Sequence, residues 1–278
     1  RQTLAEAEVV AAAATVDDPT SDPNAVIDTT PTVSTTERKS LQALAATTDQ
    51  LDSLIAQAQD QKNQQAQILL SEQQAAANAK AAGFDGVEIH SANGYLLDQF
   101  LQDKTNQRTD QYGGSIENRL RLLVDVLKTV SEIFSYDRIG VRLSPYGSFN
   151  DIADSDPVTL FTAAIDKLNP LGLAYLHMIE PRATTAGGND KVDTAAPNAS
   201  ALFRKAFHGK FISAGGYTKE SGEAALEAGL ADAIAYGRIY IANPDLAERF
   251  AQDAALNPYD RASFYGGGEK GYTDYPSL

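Results

Sequence analysis

Cysteine is absent from these 278 residues, so no disulfide and no thiolate metal site can form, and no metal is expected. Positive charge is scarce: 23 Lys+Arg face 37 Asp+Glu, a net charge of −14. That balance argues against nucleic acid or an anionic membrane as partner, because the phosphate term would be repulsive. No apolar run approaches a membrane span, and the first residues lack the basic and apolar blocks of a signal peptide. The expectation is a soluble, cytoplasmic protein. The most informative absence is local. The first glycine is Gly83 and the first aromatic is Phe84, so all 20 Gly, 12 Tyr and 10 Phe lie beyond residue 82. Turns of α/β folds need residues that accept positive φ, and cores of this size use aromatic volume. Residues 1–70 are therefore expected to be a low-complexity linker and helical segment, and residues 71–278 the globular part.

Residues 1–14 are Ala-rich and helix-permissive but short for an isolated helix, and residues 15–36, with Pro19, Pro23 and Pro31, read as a flexible linker. Ser34-Thr-Thr-Glu37 fits a capping box and predicts a helix start. Leu41, Leu44, Leu51, Leu54, Ile55 and Ala58 then form a narrow apolar stripe, which the Gln-rich run Gln57 to Gln67 loses. A short coiled coil or docking helix is one reading; a solvated helix is the one the fading stripe favours. After Ile68, Leu69 and Leu70, a second helix is predicted over Ser71 to Ala82. Ala75, Ala76 and Ala79 form its close-packing face, and Gly83 ends it.

Beyond Gly83 strands and helices alternate. Strands are predicted at Gly83–His90 (with Phe84, Val87 and Ile89 apolar), Arg138–Ser144, Leu173–Ile179, Lys210–Ala214 and Ala233–Gly237. Helices are predicted from Ser115 to about Phe134 (apolar face Leu120, Leu123, Val124, Leu127), Pro157 to Leu168, Ala199 to Phe207, Lys219 to Gly229 and Pro244 to Gln252. Five buried, near-continuously apolar strands, each followed by a helix, specify a parallel sheet with right-handed crossovers.

Chemistry gathers where the first strand ends. His90, Asn93 and Tyr95 arrive at close spacing, the position where α/β folds build sites. Two neutral donors able to hold one oxygen, with a phenol able to give up a proton, point to carbonyl polarisation and proton transfer. Arg142 lies mid-strand among apolar neighbours and needs an anionic partner, either inside the fold or in a ligand. Two later strands end on Gly215-Gly216 and on Gly237-Arg238, and freed backbone N–H groups beside an Arg make an anion site. His177, inside an apolar strand, reads as structural, and His208 as a surface residue. By composition the aromatic, Gly-rich tail could be a disordered end.

The run His90-x-x-Asn93-x-Tyr95, then Asn106-x-Arg108-x-Asp110-x-Tyr112-Gly-Gly-Ser115-x-Glu117-Asn118-Arg119, resembles the Old Yellow Enzyme family of flavin-dependent ene-reductases. Ile241-Ala-Asn243-Pro244-Asp245-Leu246 also matches that family. The resemblance covers about Ser71 to Leu278 and implies an α/β fold of the (β/α)8 TIM-barrel type, present here as the last five β/α units. It implies FMN as cofactor, with Arg142 against the flavin and Gly215, Gly216, Gly237 and Arg238 at its phosphate. It implies NAD(P)H as reductant and an enone-type substrate whose oxygen is held by His90 and Asn93. Tyr95 would be the proton donor, and Phe264 and Tyr265 would lie near the flavin or substrate. No G-x-G-x-x-G follows a strand, so no Rossmann nicotinamide site is expected. Nothing upstream of Ser71 resembles the first three barrel strands, so the site is expected to be half-walled, with an oligomer or partner covering the open edges. The alternative reading is a truncated or fused relative that acts as an interaction module.

Overall fold

The computed structural model describes residues 34–181, 197–266 and 268–278. Of the Ala-rich segment and linker expected at residues 1–14 and 15–36, residues 1–33 lie outside the described residues, and Thr35 and Thr36 belong to a helix instead. The chain divides into two compact units, Arg1–Gln61 and Lys62–Leu278.

The first structural surprise is α1, a single helix over Thr35–Ala81 rather than two. The reason is legible: no Gly or Pro occurs between Pro31 and Gly83, so nothing interrupts the backbone hydrogen bonds. The compositional boundary at residue 70 falls inside this helix. Gly83 ends it at φ 86°, with Gly83 N–H on Lys80 O and Phe84 N–H on Ala79 O, both at 3.1 Å. That is the Schellman arrangement a left-handed glycine permits. In the first unit Leu44, Leu51, Leu54 and Ile55 are all more than half exposed, as a solvated helix requires. In the second unit Ala76 is buried, Ile68, Leu69 and Ala79 pack on the core, and Lys80 Nζ donates to Ile133 O at 2.6 Å. Ala75, expected on the packing face, is exposed.

Five parallel strands follow in sheet order 1-2-3-4-5: β1 Val87–Ser91, β2 Ile139–Leu143, β3 Tyr175–Ile179, β4 Phe211–Ala214 and β5 Ala233–Ala235. Between them run α2 Leu96–Leu101, α3 Ile116–Ser131, α4 Pro157–Leu168, α5 Ala199–Phe203 and α6 Lys219–Glu227, then α7 Arg238–Ile241 and α8 Leu246–Ala251. The expected strand–helix alternation is present. Phe84 is not part of β1, however; it lies beyond the helix-ending glycine and is two-thirds exposed. Val124 is also exposed, and α3 buries Leu120, Leu122, Leu123, Val126, Leu127 and Val130 instead.

The strands are not apolar on both faces. Register places Ile89, Val141, Leu176 and Phe211 in one row, all buried in a core shared with α3 and α4. Each such side chain stabilises the fold by about 1.5–3 kcal/mol. The adjacent row on the other face reads His90, Arg142, His177, Ile212. β2 and β4 are buried at both end positions and along most of their length. β1 exposes Glu88 and His90, and β5 is at most half-buried, because both are sheet edges among the described residues.

Candidate active site

The site begins at the turn leaving β1. Asn93 (φ 55°) and Gly94 (φ 72°) are both left-handed, and a Cβ on Gly94 would stand 2.0 Å from the carbonyl oxygen of Phe149. Only glycine fits there. The Asn93 N–H donates to Ser144 Oγ at 2.7 Å, tying the turn to the end of β2. Tyr95 then stands at the N-cap of α2, half-exposed, its ring 5.4 Å from that of His90 and 6.1 Å from that of Phe149. Burial, then the positive charge of Arg142, push the His90 imidazole below its usual range, with Glu88 opposing. His90 is therefore neutral near pH 7 and is suited to donating a hydrogen bond without giving up a full proton.

Beside His90, the polar row continues across the sheet. The Arg142 Nε is buried with no hydrogen-bond partner, and burial works against its charge while Glu88 and Tyr175 support it. His177 Nδ1 lies 2.9 Å from Glu88 Oε2, and His177 Nε2 is also buried without a partner. Burial opposes ionisation of Glu88, but the hydrogen bond and charge of His177, the charge of Arg142 and Tyr175 hold its carboxyl below the usual range. Burial, then the charge and hydrogen bond of Glu88, push Tyr175 up to about 12, with Arg142 opposing. Gly140 makes room for this cluster: a Cβ there would meet the Tyr175 ring at 2.3 Å.

The far wall comes from β4, β5 and the tail. Gly215 (φ 119°) and Gly216 (φ 68°) turn the chain out of β4, and Gly215 packs so closely on Glu180 that a Cβ would lie 3.0 Å from its carbonyl oxygen. Gly237 is the N-cap of α7, and Arg238 is the first residue of that helix. The tail is ordered on the body: Arg249 Nη2 donates to Pro276 O at 2.9 Å, and Leu278 N–H to Asp245 Oδ2 at 2.7 Å. It brings Phe264, nearly buried, and Tyr265, mostly exposed, to the rim with their rings 6.3 Å apart.

These pieces enclose an open cavity of about 590 Å³, lined by Asn93, Tyr95, Arg142, Gly215, Gly216, Gly237, Arg238, Phe264 and Tyr265. His90 stands next to Tyr95 but is not part of the lining. His177, expected to be structural, does line the cavity, as do Tyr217 and Tyr236. Its neighbourhood to Arg142 arises only from strand register and leaves no mark in sequence spacing. The volume is that of a cofactor or drug-sized ligand. Two unpartnered buried nitrogens, glycine-lined strand ends and aromatic walls fit a planar cofactor with an electron-rich edge and a phosphate.

Comparison with known proteins agrees with that fit. The profile of the NADH:flavin oxidoreductase / NADH oxidase family matches residues 27–257. The chain belongs to this family, that of Old Yellow Enzyme. The profile match begins upstream of Ser71, within residues where the motifs carry no resemblance. FMN is the family's cofactor and oxidoreduction its chemistry. A putative 12-oxophytodienoate reductase 10 of Oryza sativa subsp. japonica is 51% identical over 206 residues, 73% of this chain and 65% of the relative. The 12-oxophytodienoate reductase 2 of Arabidopsis thaliana is 49% identical over 206 residues, 73% of this chain and 54% of the relative. Morphinone reductase, solved in complex with tetrahydroNAD, superposes with a TM-score of 0.70 at 44% identity, covering 78% of this chain and 56% of that one. The chain thus spans between half and two thirds of the length of these relatives, and its five-stranded sheet is part of the Old Yellow Enzyme barrel.

Proposed function

We propose that this chain binds FMN and reduces the C=C bond of α,β-unsaturated carbonyl compounds with NAD(P)H. One observation carries the reading: Asn93 and Tyr95, with His90 beside Tyr95, Arg142 and two glycine strand ends, far apart in sequence, converge on one cavity. Arg142 would hold the electron-rich edge of the cofactor, and the backbone at Gly215, Gly216 and Gly237 with Arg238 its phosphate. When bound, the flavin would carry hydride from nicotinamide to substrate. Neutral His90 and Asn93 would hold the substrate oxygen, which draws electron density from the C=C bond. Tyr95 would supply the proton from its phenol. Phe264 and Tyr265 would cover the ring system from the rim.

An assembly module without catalysis is the second reading, favoured by the two exposed sheet edges among the described residues. The test starts with protein saturated with FMN, dialysed and examined for retained flavin absorbance. Anaerobic NADPH or NADH should then bleach the flavin, and cyclohexenone should restore the colour. Bleaching without recovery on enone addition refutes the substrate assignment; no flavin-dependent absorbance change at saturating FMN refutes the enzyme and favours the module.

A further inference from the structure

We infer that Asp98 is a positioning residue, whose buried carboxylate holds the Asn93–Gly94 turn and thereby sets Asn93 and Tyr95 at the cavity. The inference rests on the proposed enone-reducing function and assigns a role that none of the site groups already named fills.

Asp98 sits in the first turn of α2 and is fully buried. Its Oδ2 accepts the Gly94 N–H at 2.9 Å and the Ser144 hydroxyl at 2.9 Å, and its Oδ1 accepts Gln102 Nε2 at 2.8 Å. Having given its proton to Asp98, Ser144 Oγ accepts the Asn93 N–H at 2.7 Å. Both amides of the left-handed pair therefore end on one carboxylate, Gly94 directly and Asn93 through a hydroxyl. The Gly94 carbonyl is fixed from the other side by Gln99 Nε2 at 2.7 Å and Asn150 Nδ2 at 3.0 Å.

A non-glycine residue at φ 55° persists only where its surroundings over-determine it. Asp98 is the group that does so here. Among the described residues it pairs with no cation, and a lone buried charge is costly unless its hydrogen bonds are complete. All its donors are groups of this turn, of α2 or of the end of β2. Burial pushes its carboxyl up, and the donors from Gln102, Gly94 and Ser144 pull the other way. Because Ser144 follows β2, the strand carrying Arg142, the same network registers the turn against the Arg142 side of the cavity.

Asp98→Asn tests this, since it keeps the volume but cannot accept from Gly94, Ser144 and Gln102 together. The first readout is the ligand-free chain, by hydrogen exchange at the Asn93 and Gly94 amides. Exchange there should quicken about tenfold or more, the equivalent of one charge-assisted hydrogen bond, while amides of β2 to β4 keep their protection. The second readout is the FMN-loaded chain with para-chlorophenol, whose phenolate mimics the polarised oxygen and gives a charge-transfer band. Its affinity should fall about tenfold, with FMN affinity within about twofold of the original. Ser144→Ala should act alike, and the double variant should be no weaker than the worse single one.

Unchanged exchange at both amides, or a uniform loss of protection across the sheet, overturns the inference and leaves Asp98 a stability residue. Local quickening with unchanged phenol affinity overturns it as well. If the unsubstituted chain gives no phenol band, the carbonyl-binding reading fails on its own, and the exchange at Asn93 and Gly94 alone decides whether Asp98 holds the turn.

Discussion

Replacing Glu88 by Gln removes one charge from the polar row and should act on stability and on ligand affinity in opposite directions. The wild-type carboxylate accepts from His177 Nδ1 at 2.9 Å and faces Arg142 and Tyr175. Its side chain is 28% exposed and that of His177 10%. A hydrogen bond to a charged acceptor is worth about 1.5–3 kcal/mol, and partial exposure puts this one near the lower end, so Gln should cost about 1–2 kcal/mol at pH 7. The pH dependence follows from the lowered carboxyl pKa. A carboxylate whose folded pKa lies below its unfolded one contributes stability above the unfolded value of about 4.5 and loses it as pH falls through the folded value. The difference between wild type and Glu88→Gln should therefore be full at pH 7, begin to shrink only below about pH 4.5, and be lost as pH falls through the lowered folded value. Affinity moves the other way. Arg142 loses the opposing charge nearby while its Nε still lacks a partner, so the cavity becomes more positive. FMN should bind several-fold tighter, about fivefold or more at low salt, and the gain should fade as salt is added. Urea unfolding of dilute protein from pH 7 down to about pH 3 measures the first effect, and titration of flavin fluorescence the second. Equal stability at pH 7, a difference that grows on acidification, or weaker FMN binding at low salt would show that Glu88 is not the counter-charge of this cluster.

Tyr95→Phe should leave flavin reduction by NAD(P)H intact and slow enone reduction by about 10²-fold or more, measured in separate half-reactions; equal enone rates remove Tyr95 from the chemistry. Among the described residues the half-exposed ring makes no hydrogen bond whose loss would unfold the turn, so melting should shift little. Arg142→Lys should not rescue FMN affinity relative to Arg142→Ala, because a point charge does not replace a planar guanidinium; flavin titration decides it, and near-native affinity in the Lys variant refutes it. Asp154→Ala leaves Arg119 with its charge buried, since the two side chains are 6% and 1% exposed, and should cost about 3–5 kcal/mol in urea unfolding. A cost within about 0.5 kcal/mol would mean that water reaches the pair.

The alternation of strand and helix was readable because β1 to β4 each carry buried apolar residues and each crossover is punctuated by Gly or Pro. Pro157 opens α4, and Gly229 lies just past α6 at φ 68°. What was misread shares a cause. α1 looked like two helices because its apolar residues cluster at Leu41 to Ile55 and again at Ile68 to Leu70. Helix continuity depends on uninterrupted backbone, however, not on an unbroken stripe. The short helices α2 and α7, six and four residues long, have no room to express a period. Asn93, Tyr95, Gly215, Gly216, Gly237 and Arg238 announced themselves by position at strand ends, and Arg142 by its charge among apolar neighbours, but His177 did not. That side chain lies within β3 and meets Arg142 only through register, which neighbours in sequence do not encode.

The two ends of the cavity are held by similar devices that share no residue. On the β1 side, Asp98 gathers Gly94, Ser144 and Gln102. On the β3 side, fully buried Glu180 accepts from the amides of Ala199 at 2.9 Å and Ser200 at 3.0 Å and from the Ser213 hydroxyl at 3.2 Å. Its own amide donates to Ala214 O at 2.7 Å, which sets the exit of β4 into Gly215. Ser213 in turn shares a hydrogen bond of 2.8 Å with Tyr217 of the cavity wall. In both places a buried carboxylate, Asp98 within α2 and Glu180 just past β3, ties the loop that leaves one strand to a serine on or just past the neighbouring strand, Ser144 after β2 and Ser213 in β4. Between them stands the row His90, Arg142, His177, joined by register alone. A ligand that bridges the turn at Asn93 and the glycines at Gly215 is therefore the element that couples two separately built walls. It would do so across Arg142 Nε and His177 Nε2, buried nitrogens that have no partner among the described residues.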